Sequence, residues 1–235
     1  MKSGVSPLGK VKTKWNFKLA YAIGLIVADG CLSKDGRHII MTSKDKDQLK
    51  TFNKCLGIEV KIGRKFSGAG NLAYYIQFSD VLFYKFLLKI GITPAKSKTI
   101  SEIKIPKRYF FDYLRGYFDG DGCSFSYFDP LFPKSYRFYI SFASGSENYF
   151  FWLQERLAEY AGVTGYINRS PRSTNVQLKY AKRDAGIIAK KMYYHEALPC
   201  LKRKRNKIES SLERIEKMSR SGGIGRHAAF RAQWA

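Results

Sequence analysis

The chain has 235 residues and a formal net charge of +23, with 42 Lys and Arg residues against 19 Asp and Glu residues. Its 45% hydrophobic and 15% aromatic content excludes a disordered chain, and a folded protein this basic usually has a polyanionic partner. We find no signal peptide, lipidation motif or amphipathic cationic helix, so we expect no membrane partner.

The number and spacing of the cysteines and histidines limit which metal sites and which cellular compartment we expect. Cys31, Cys55, Cys123 and Cys200 are scattered without a CxxC pair, and the 3 histidines are too few for a zinc site. The pattern predicts small buried thiols in a reducing compartment. We therefore expect a cytoplasmic or organellar protein that is not secreted.

The first part of the chain predicts a basic arm followed by seven regular elements. Residues 1–14 read as a flexible arm, and Trp15 to Asp29 carries apolar residues at helical spacing. Turn signals at Asp35-Gly36 and in the Gly-rich stretch 67–71 predict two hairpins. Two more helices are predicted, from Asp45 to Gly57 and from Val81 to Ile90. Residues 15–100 therefore read as αββαββα.

The second part, residues 101–205, repeats that order. After the helix that ends at Asp121, its predicted strands and helices are Cys123–Phe128, Tyr136–Ala143, 144–160, Gly165–Arg169, Asn175–Lys179 and Asp184–Tyr194. The repeat predicts an α+β fold with two pseudo-symmetric halves, each with a four-stranded antiparallel sheet. Residues 206–235 read as a basic C-terminal helix followed by a Gly-rich tail.

One pattern occurs twice, as AIGLIVADG at 22–30 and LRGYFDGDG at 114–122. Each copy ends an apolar helix and carries small residues four apart. Gly24 and Ala28 form the first pair, and Gly116 and Gly120 form the second. Such small-residue strips allow two helix backbones to approach closely. We therefore expect the two halves to pack through these helices.

The Asp-Gly endings suggest the chemistry. Gly30 and Gly122 suit the left-handed position after a helix, which places Asp29 and Asp121 in the final turns. A carboxylate there faces the negative end of the helix dipole, and two side by side repel each other. Divalent cations shared with the phosphates of a polyanionic partner would remove both penalties and can activate water. Hard oxygen ligands favour Mg²⁺ over Zn²⁺.

The two copies resemble the LAGLIDADG motif of homing endonucleases, and two copies in one chain are typical of the monomeric form. The resemblance covers about Phe17 to Lys207. It implies a site-specific endonuclease that cuts both strands of a long, non-palindromic DNA target. It implies Mg²⁺, or another divalent cation such as Mn²⁺ or Ca²⁺, with double-stranded DNA as the partner of a monomer.

The resemblance also assigns the site. Asp29 and Asp121 would be the catalytic residues and metal ligands. Val27, Ala28 and Gly120 stand beside them and are assigned to the metal site.

Two lysines and one further carboxylate complete this prediction. Lys98 and Lys204 follow the pattern of phosphate-contacting lysines and are predicted to support the scissile phosphates. Asp119 has Val27 as its counterpart in the first copy, which predicts a non-catalytic carboxylate. By the same comparison, Val27→Asp should leave cleavage unchanged.

Each sheet is predicted to lie in the DNA major groove, which admits β-strands that read base edges. Strands of about six to eight residues cover about 20–26 Å, which corresponds to some six to eight base pairs per half. The predicted groove-facing residues alternate with core residues. They are Arg37, Lys61, Arg64, Tyr75 and Gln77 in the first half and Tyr139, Ser141, Asn168, Arg169, Arg172, Gln177 and Lys179 in the second.

Two other functions remain open on the same fold. An intron RNA maturase would use the basic surface to bind RNA, which that surface suits as well as DNA. A non-catalytic DNA-binding protein would retain the scaffold alone, although both motif aspartates are intact in this chain.

Overall fold

The computed structural model describes residues 9–66, 70–169 and 175–231, with side chains described up to residue 220. The predicted α+β architecture is confirmed. Two antiparallel four-stranded sheets each follow the order helix, two strands, helix, two strands, helix, and the first helix of each half packs against its counterpart.

The first half contains seven elements and a sheet of order β1-β2-β4-β3. The elements are α1 (Phe17–Asp29), β1 (Gly30–Leu32), β2 (His38–Ser43), α2 (Lys46–Leu56), β3 (Gly63–Phe66), β4 (Leu72–Ser79) and α3 (Val81–Lys89). The two connecting 3₁₀ turns are Lys96–Lys98 and Lys107–Tyr109.

The second half repeats this topology with the order β5-β6-β8-β7. Its elements are α4 (Phe110–Asp121), β5 (Gly122–Phe128), β6 (Tyr136–Ser144), α5 (Glu147–Ala161), β7 (Tyr166–Arg169), β8 (Val176–Ala181) and α6 (Lys182–Met192). A final helix, α7 (Lys202–Arg231), follows.

The halves meet where α1 and α4 cross with their backbones in contact. A Cβ added to Gly24 would lie 2.1 Å from the backbone oxygen of Tyr113. A Cβ added to Gly116 would lie 2.0 Å from the backbone oxygen of Tyr21. The two contacts are equivalent under exchange of the halves. The close approach of the two helix backbones, which the small-residue spacing predicts, is therefore confirmed.

The prediction of a left-handed conformation at Gly30 and Gly122 is wrong. Their φ angles are −87° and −89°, in the extended region, because each helix runs directly into the first strand of its sheet. Glycine is required there for a steric reason. A Cβ would lie 2.6 Å from the Ile26 oxygen in the first copy and 2.6 Å from the Phe118 oxygen in the second.

Part of the predicted N-terminal arm is anchored to the first half. The backbone amides of Lys10 and Val11 donate to Asp80 Oδ2 at 2.6 and 2.9 Å, and Val11 is buried. The other oxygen of Asp80 accepts the Phe83 amide at 2.8 Å and caps α3. One carboxylate thus joins the arm to a helix start.

Helix α7 begins before the predicted division at residues 205/206 and crosses it. It packs on the second half, where Ile208 is buried and Ser211 Oγ lies 3.2 Å from Ser126 Oγ. The Arg214 guanidinium lies over the rings of Phe128 and Tyr136 at 5.8 and 5.6 Å. The Gly-rich stretch predicted as a tail continues this helix to Arg231.

All four cysteines are free thiols, and their predicted burial is wrong for two of them. Cys31 and Cys123 are exposed because each follows a motif helix onto the outer face of a sheet. Cys55 and Cys200 are half-buried.

In the part of the chain that the structure describes, no helix has the length and apolarity needed to cross a bilayer.

Gly116→Ala should lower the free energy of unfolding by about 2 kcal/mol or more, because its methyl group would collide with the backbone of α1. Gly186→Ala is the matched control, since a Cβ in the interior of α6 would meet only Leu212 Cδ2, at 3.7 Å. That variant should gain about 0.5–1 kcal/mol from helix propensity. Urea denaturation of both variants measures the difference, and equal stabilities would contradict the backbone contact.

Candidate functional site

The two motif aspartates meet at the ends of α1 and α4. Asp29 is half-buried against the last turn of α4, where a Cβ added to Gly120 would lie 3.0 Å from Asp29 Oδ2. The same Cβ would lie 2.3 Å from the Ala28 Cβ. Gly120 therefore leaves the space that the Asp29 carboxylate occupies.

The electrostatics of this pair raise the pKa of both acids in the free protein. Burial, followed by the charge of Asp121, raises the pKa of Asp29 to about 6, while Lys204 and Lys96 act in the opposite direction. Desolvation by the surrounding protein also raises the pKa of Asp121, although part of that residue is exposed at the surface. The protein thus holds the half-buried Asp29 beside the more exposed Asp121, and a cation would stabilise the negative charge of both.

One lysine lies at the C-terminal end of each motif helix. Lys204 Nζ donates to the backbone oxygens of Phe118, Gly120 and Gly122 at 2.7, 3.0 and 2.7 Å. Lys96 Nζ donates to the Gly30 oxygen at 2.5 Å, and its side chain is buried. Both ammonium groups cap carbonyls at the negative end of a helix dipole. They also place positive charge beside the carboxylates.

The structural counterpart of Lys204 is therefore Lys96, which sequence reasoning missed, whereas the predicted Lys98 is exposed. Both lysines belong to the 3₁₀ turn Lys96–Lys98 and lie near Asp121, but only the first reaches a motif-helix carbonyl. The sequence Lys96-Ser97-Lys98 contains no signal that separates them, because one turn of backbone decides which side chain points inwards.

The carboxylate of Asp119 is buried and joins three elements. Its Oδ2 accepts the Tyr21 hydroxyl of α1 at 2.7 Å and the Leu201 amide, just before α7, at 2.6 Å. Burial raises the pKa of Asp119 to about 6. These contacts give it a structural role that its counterpart Val27, a buried apolar residue, does not have.

The acidic pair can supply part of a divalent-metal site. Among the described side chains, no group of three or more His, Cys, Asp or Glu residues converges on a point. Val27 and Ala28 could contribute only backbone carbonyls of the last helical turn, which lack intrahelical partners. The Gly120 carbonyl already accepts Lys204 and keeps one lone pair free. The donor set is all oxygen, which fits Mg²⁺ with water or phosphate completing its shell.

The sheet register decides which predicted groove residues share the open face, the face of each sheet turned away from the helices. In the first half, Tyr75 and Gln77 oppose Thr42 and Ile40 on that face, and Lys61 lies beside them. Arg37 lies in the turn before β2 and pairs with Asp35 at 3.6 Å between Nε and Oδ2.

Arg64 lies on the opposite face, paired in register with Tyr74, so the structure contradicts its predicted orientation. Its neighbour Lys65 takes the open-face position, and Lys65 Nζ donates to Thr42 Oγ1 at 3.1 Å. A shift of one residue along a strand reverses the face of every side chain. The register of edge strand β3 therefore determines the face on which Arg64 lies.

In the second half, five predicted residues share the open face: Tyr139, Ser141, Asn168, Gln177 and Lys179. Arg169 does not, because it is in register with Val176 on the other face and pairs with Glu147 of α5. This too is a correction of one residue on an edge strand. Arg172 lies outside the described residues.

The open face of the second half also carries aromatic residues that the prediction missed. The ring of Tyr139 stacks on Phe125 at 4.9 Å and lies 6.3 Å from the ring of Tyr127. Arg137 lies opposite Tyr127 in the register. The period-two pattern of β5 could have revealed Phe125 and Tyr127, since they lie two residues apart and therefore share one face.

Solved structures with this fold include DNA-bound homing endonucleases. I-SmaMI bound to uncleaveable DNA matches with a TM-score of 0.59 and 15% identity, over 91% of this chain and 93% of that one. I-WcaI bound to its DNA recognition sequence matches with a TM-score of 0.57 and 14% identity, over 88% and 95%. The N-terminal LAGLIDADG domain of DUF199/WhiA matches with a TM-score of 0.52 and 15% identity, over 83% and 96%.

The sequence matches no protein-family model and no curated protein. At 14–15% identity, the structural likeness establishes the fold. Identity of fold does not by itself supply activity, so the function has to be argued from the site.

Asp29→Asn should stabilise the metal-free protein at pH 7.5 by about 1–2 kcal/mol, a range reduced for partial exposure. The folded-state pKa of about 6 lies above the ordinary value of 3.8, so ionisation of Asp29 costs stability as pH rises through this window. The gain should therefore disappear towards pH 4. Thermal and urea unfolding in EDTA at both pH values measures it.

Asp47→Asn is the control, because Asp47 is exposed and Lys50 lowers its pKa. It should give no gain at either pH. An Asp29→Asn variant that is less stable than wild type at pH 7.5 would contradict the stated cost of this charge.

Proposed function

We propose that this chain, which has the two-motif LAGLIDADG fold, is a site-specific DNA endonuclease that cuts both strands as a monomer. The observation that carries the proposal is the pair Asp29 and Asp121. They end equivalent helices on either side of one pseudo-two-fold axis, and the pKa of each lies above its ordinary value. Two aspartates at helix C-termini lower stability, and Lys96 and Lys204 offset only part of that cost, which a purely structural role would not explain.

The arrangement supports cleavage of two strands. Each half supplies one carboxylate, and exchange of the halves exchanges the two, as it exchanges the antiparallel strands of a duplex. Both motif helices belong to one chain, and each packs its small-residue strip against the other. A second copy is therefore not needed to complete the site, which supports a monomer.

The chain's own residues would bind and position the scissile phosphates. Asp29 and Asp121 would hold Mg²⁺ or another divalent cation, which when bound activates water and stabilises negative charge on phosphate oxygens. Lys204 binds carbonyls at the end of α4, Lys96 binds the Gly30 carbonyl directly after α1, and both set positive charge beside the carboxylates. Glycines at Gly24, Gly116 and Gly120 hold the two acids close together.

The sheets would supply affinity and specificity. Their open faces carry Tyr75, Gln77, Tyr139, Asn168, Gln177 and Lys179, residues able to donate to or accept from base edges and phosphates. The net charge of +23 supports a polyanionic duplex. Because the two faces differ in sequence, the target need not be a palindrome.

Cleavage should depend on both aspartates. A duplex obtained by binding selection from a randomised pool should be cut on both strands by the wild type with Mg²⁺. Asp29→Asn and Asp121→Asn should bind it but cut at least one strand about 100-fold more slowly. Asp47→Asn, on the exposed surface of α2, should cut like the wild type.

Tight binding without Mg²⁺-dependent cutting would overturn the proposed activity in favour of a non-catalytic DNA-binding protein. Preference for intron RNA over the selected duplex in a filter-binding comparison would favour the maturase.

The open face predicts a difference between two basic residues of the second half. Lys179→Gln should weaken duplex binding and reduce the salt slope of log K against log[salt] by about 1, because one phosphate contact is lost. Arg169→Gln should leave the slope unchanged, since Arg169 pairs with Glu147 on the other face. Fluorescence anisotropy between 50 and 300 mM salt, about the range where such slopes are measured, tests this. Equal changes of the salt slope in the two variants would contradict the proposed position of the duplex on the open face.

A further inference from the structure

The hairpin β5–β6 extends well beyond its counterpart in the first half. β5 has 7 residues and β1 has 3, so at about 3.4 Å per residue the hairpin reaches some 14 Å further from the motif helices. It ends in a seven-residue connection, residues 129–135, which we name the β5–β6 tip. The equivalent turn of the first half is short and polar, with the sequence Ser33-Lys34-Asp35-Gly36-Arg37.

The β5–β6 tip is held in one shape by the Asp129 carboxylate and by two backbone hydrogen bonds. Asp129 Oδ1 accepts the backbone amides of Leu131 and Phe132 at 3.0 and 3.3 Å, and Asp129 Oδ2 accepts Arg137 Nε at 2.9 Å. Two backbone hydrogen bonds, Asp129 N to Ser135 O and Ser135 N to Phe132 O, close the loop at 2.9 and 2.7 Å. The tip is thus ordered before any partner binds.

This ordered loop presents apolar side chains to water. Leu131 is 84% exposed and Phe132 is 64% exposed, and Pro130 and Pro133 flank them. Neither Leu131 nor Phe132 belongs to the hydrophobic core or its partly buried periphery. A rigid loop that holds two large apolar groups in solvent is pre-organised for a partner that removes them from water.

The β5–β6 tip continues the open face of the second sheet. Arg137 lies on that face opposite Tyr127, and its guanidinium binds the same Asp129 carboxylate that gathers the amides of the tip. The stacked rings of Phe125, Tyr139 and Tyr127 lead along the face to this point. The other face of the hairpin is covered instead, since Arg214 of α7 lies over Phe128.

We propose that the β5–β6 tip inserts Leu131 and Phe132 into a base step in the minor groove at the outer end of the second half-site. The proposal rests on the proposed function, because the duplex on the open face is its premise. Strand β5 spans about 20 Å from Gly122 to Phe128, and the tip extends this reach towards the roughly 34 Å of one helical turn of about ten base pairs. One turn from the central minor groove, the minor groove again faces the protein.

The chemistry fits a nucleic-acid wedge better than a protein interface. Leucine and phenylalanine inserted between base steps partly unstack them and bend the duplex. Two exposed side chains fall far short of the roughly 1,000 Å² that a stable protein interface needs. The patch is also continuous with the proposed DNA-binding face, and Lys134 beside it suits the flanking phosphates.

The experiment uses the full chain and the selected duplex with 2-aminopurine placed in turn at each position of both flanks. Wild type should raise the fluorescence severalfold at one step of one flank only. Leu131→Ser/Phe132→Ser should abolish that signal and weaken binding about tenfold with an unchanged salt slope, because no charge is lost. Removal of that flank from the duplex should give the wild type and the double variant the same affinity.

The matched control is Leu88→Ser/Phe151→Ser, which removes two exposed apolar side chains from α3 and α5, behind the sheets. It should behave like the wild type. A wild type that binds and cuts the duplex without any fluorescence change, and a tip variant of unchanged affinity, would overturn the wedge alone. Failure to bind any selected duplex would overturn the proposed function with it.

Discussion

The backbone contact between α1 and α4 is the constraint on which the rest of the structure depends. Gly24 and Gly116 each face the backbone of the opposite helix at a distance that admits no side chain. The contact is the same when viewed from either half, so whatever follows each helix is placed twice around one axis. Both carboxylates and both sheets inherit their positions from it.

The site combines stability costs with the features that suggest its chemistry. Burial and mutual repulsion raise the pKa of Asp29, so its charged form destabilises the free protein. Lys96 and Lys204 offset part of that cost and fix the helix ends at the same time. Asp119 ties Tyr21 and Leu201 together and thereby holds the start of α7, including Lys204, near the acids.

The halves share a topology and differ where they would meet a target. The second half has the longer outer hairpin and a stacked aromatic cluster of Phe125, Tyr127 and Tyr139, while the equivalent strands of the first half are short. Pseudo-symmetry is thus strict at the helix pair, where packing demands it, and relaxed on the open faces. An asymmetric target would use that freedom.

Local patterns in the sequence determined the element order, the paired motifs and the small-residue strips, because hydrophobic period and residue size act within a few residues. Only the tertiary structure decided which face Arg64 and Arg169 occupy, since edge-strand register depends on pairing with a distant strand. It also decided that Lys96 rather than Lys98 reaches a motif helix. Likewise, the extended backbone of Gly30 and Gly122 follows from the strand each helix enters, which no local turn signal encodes.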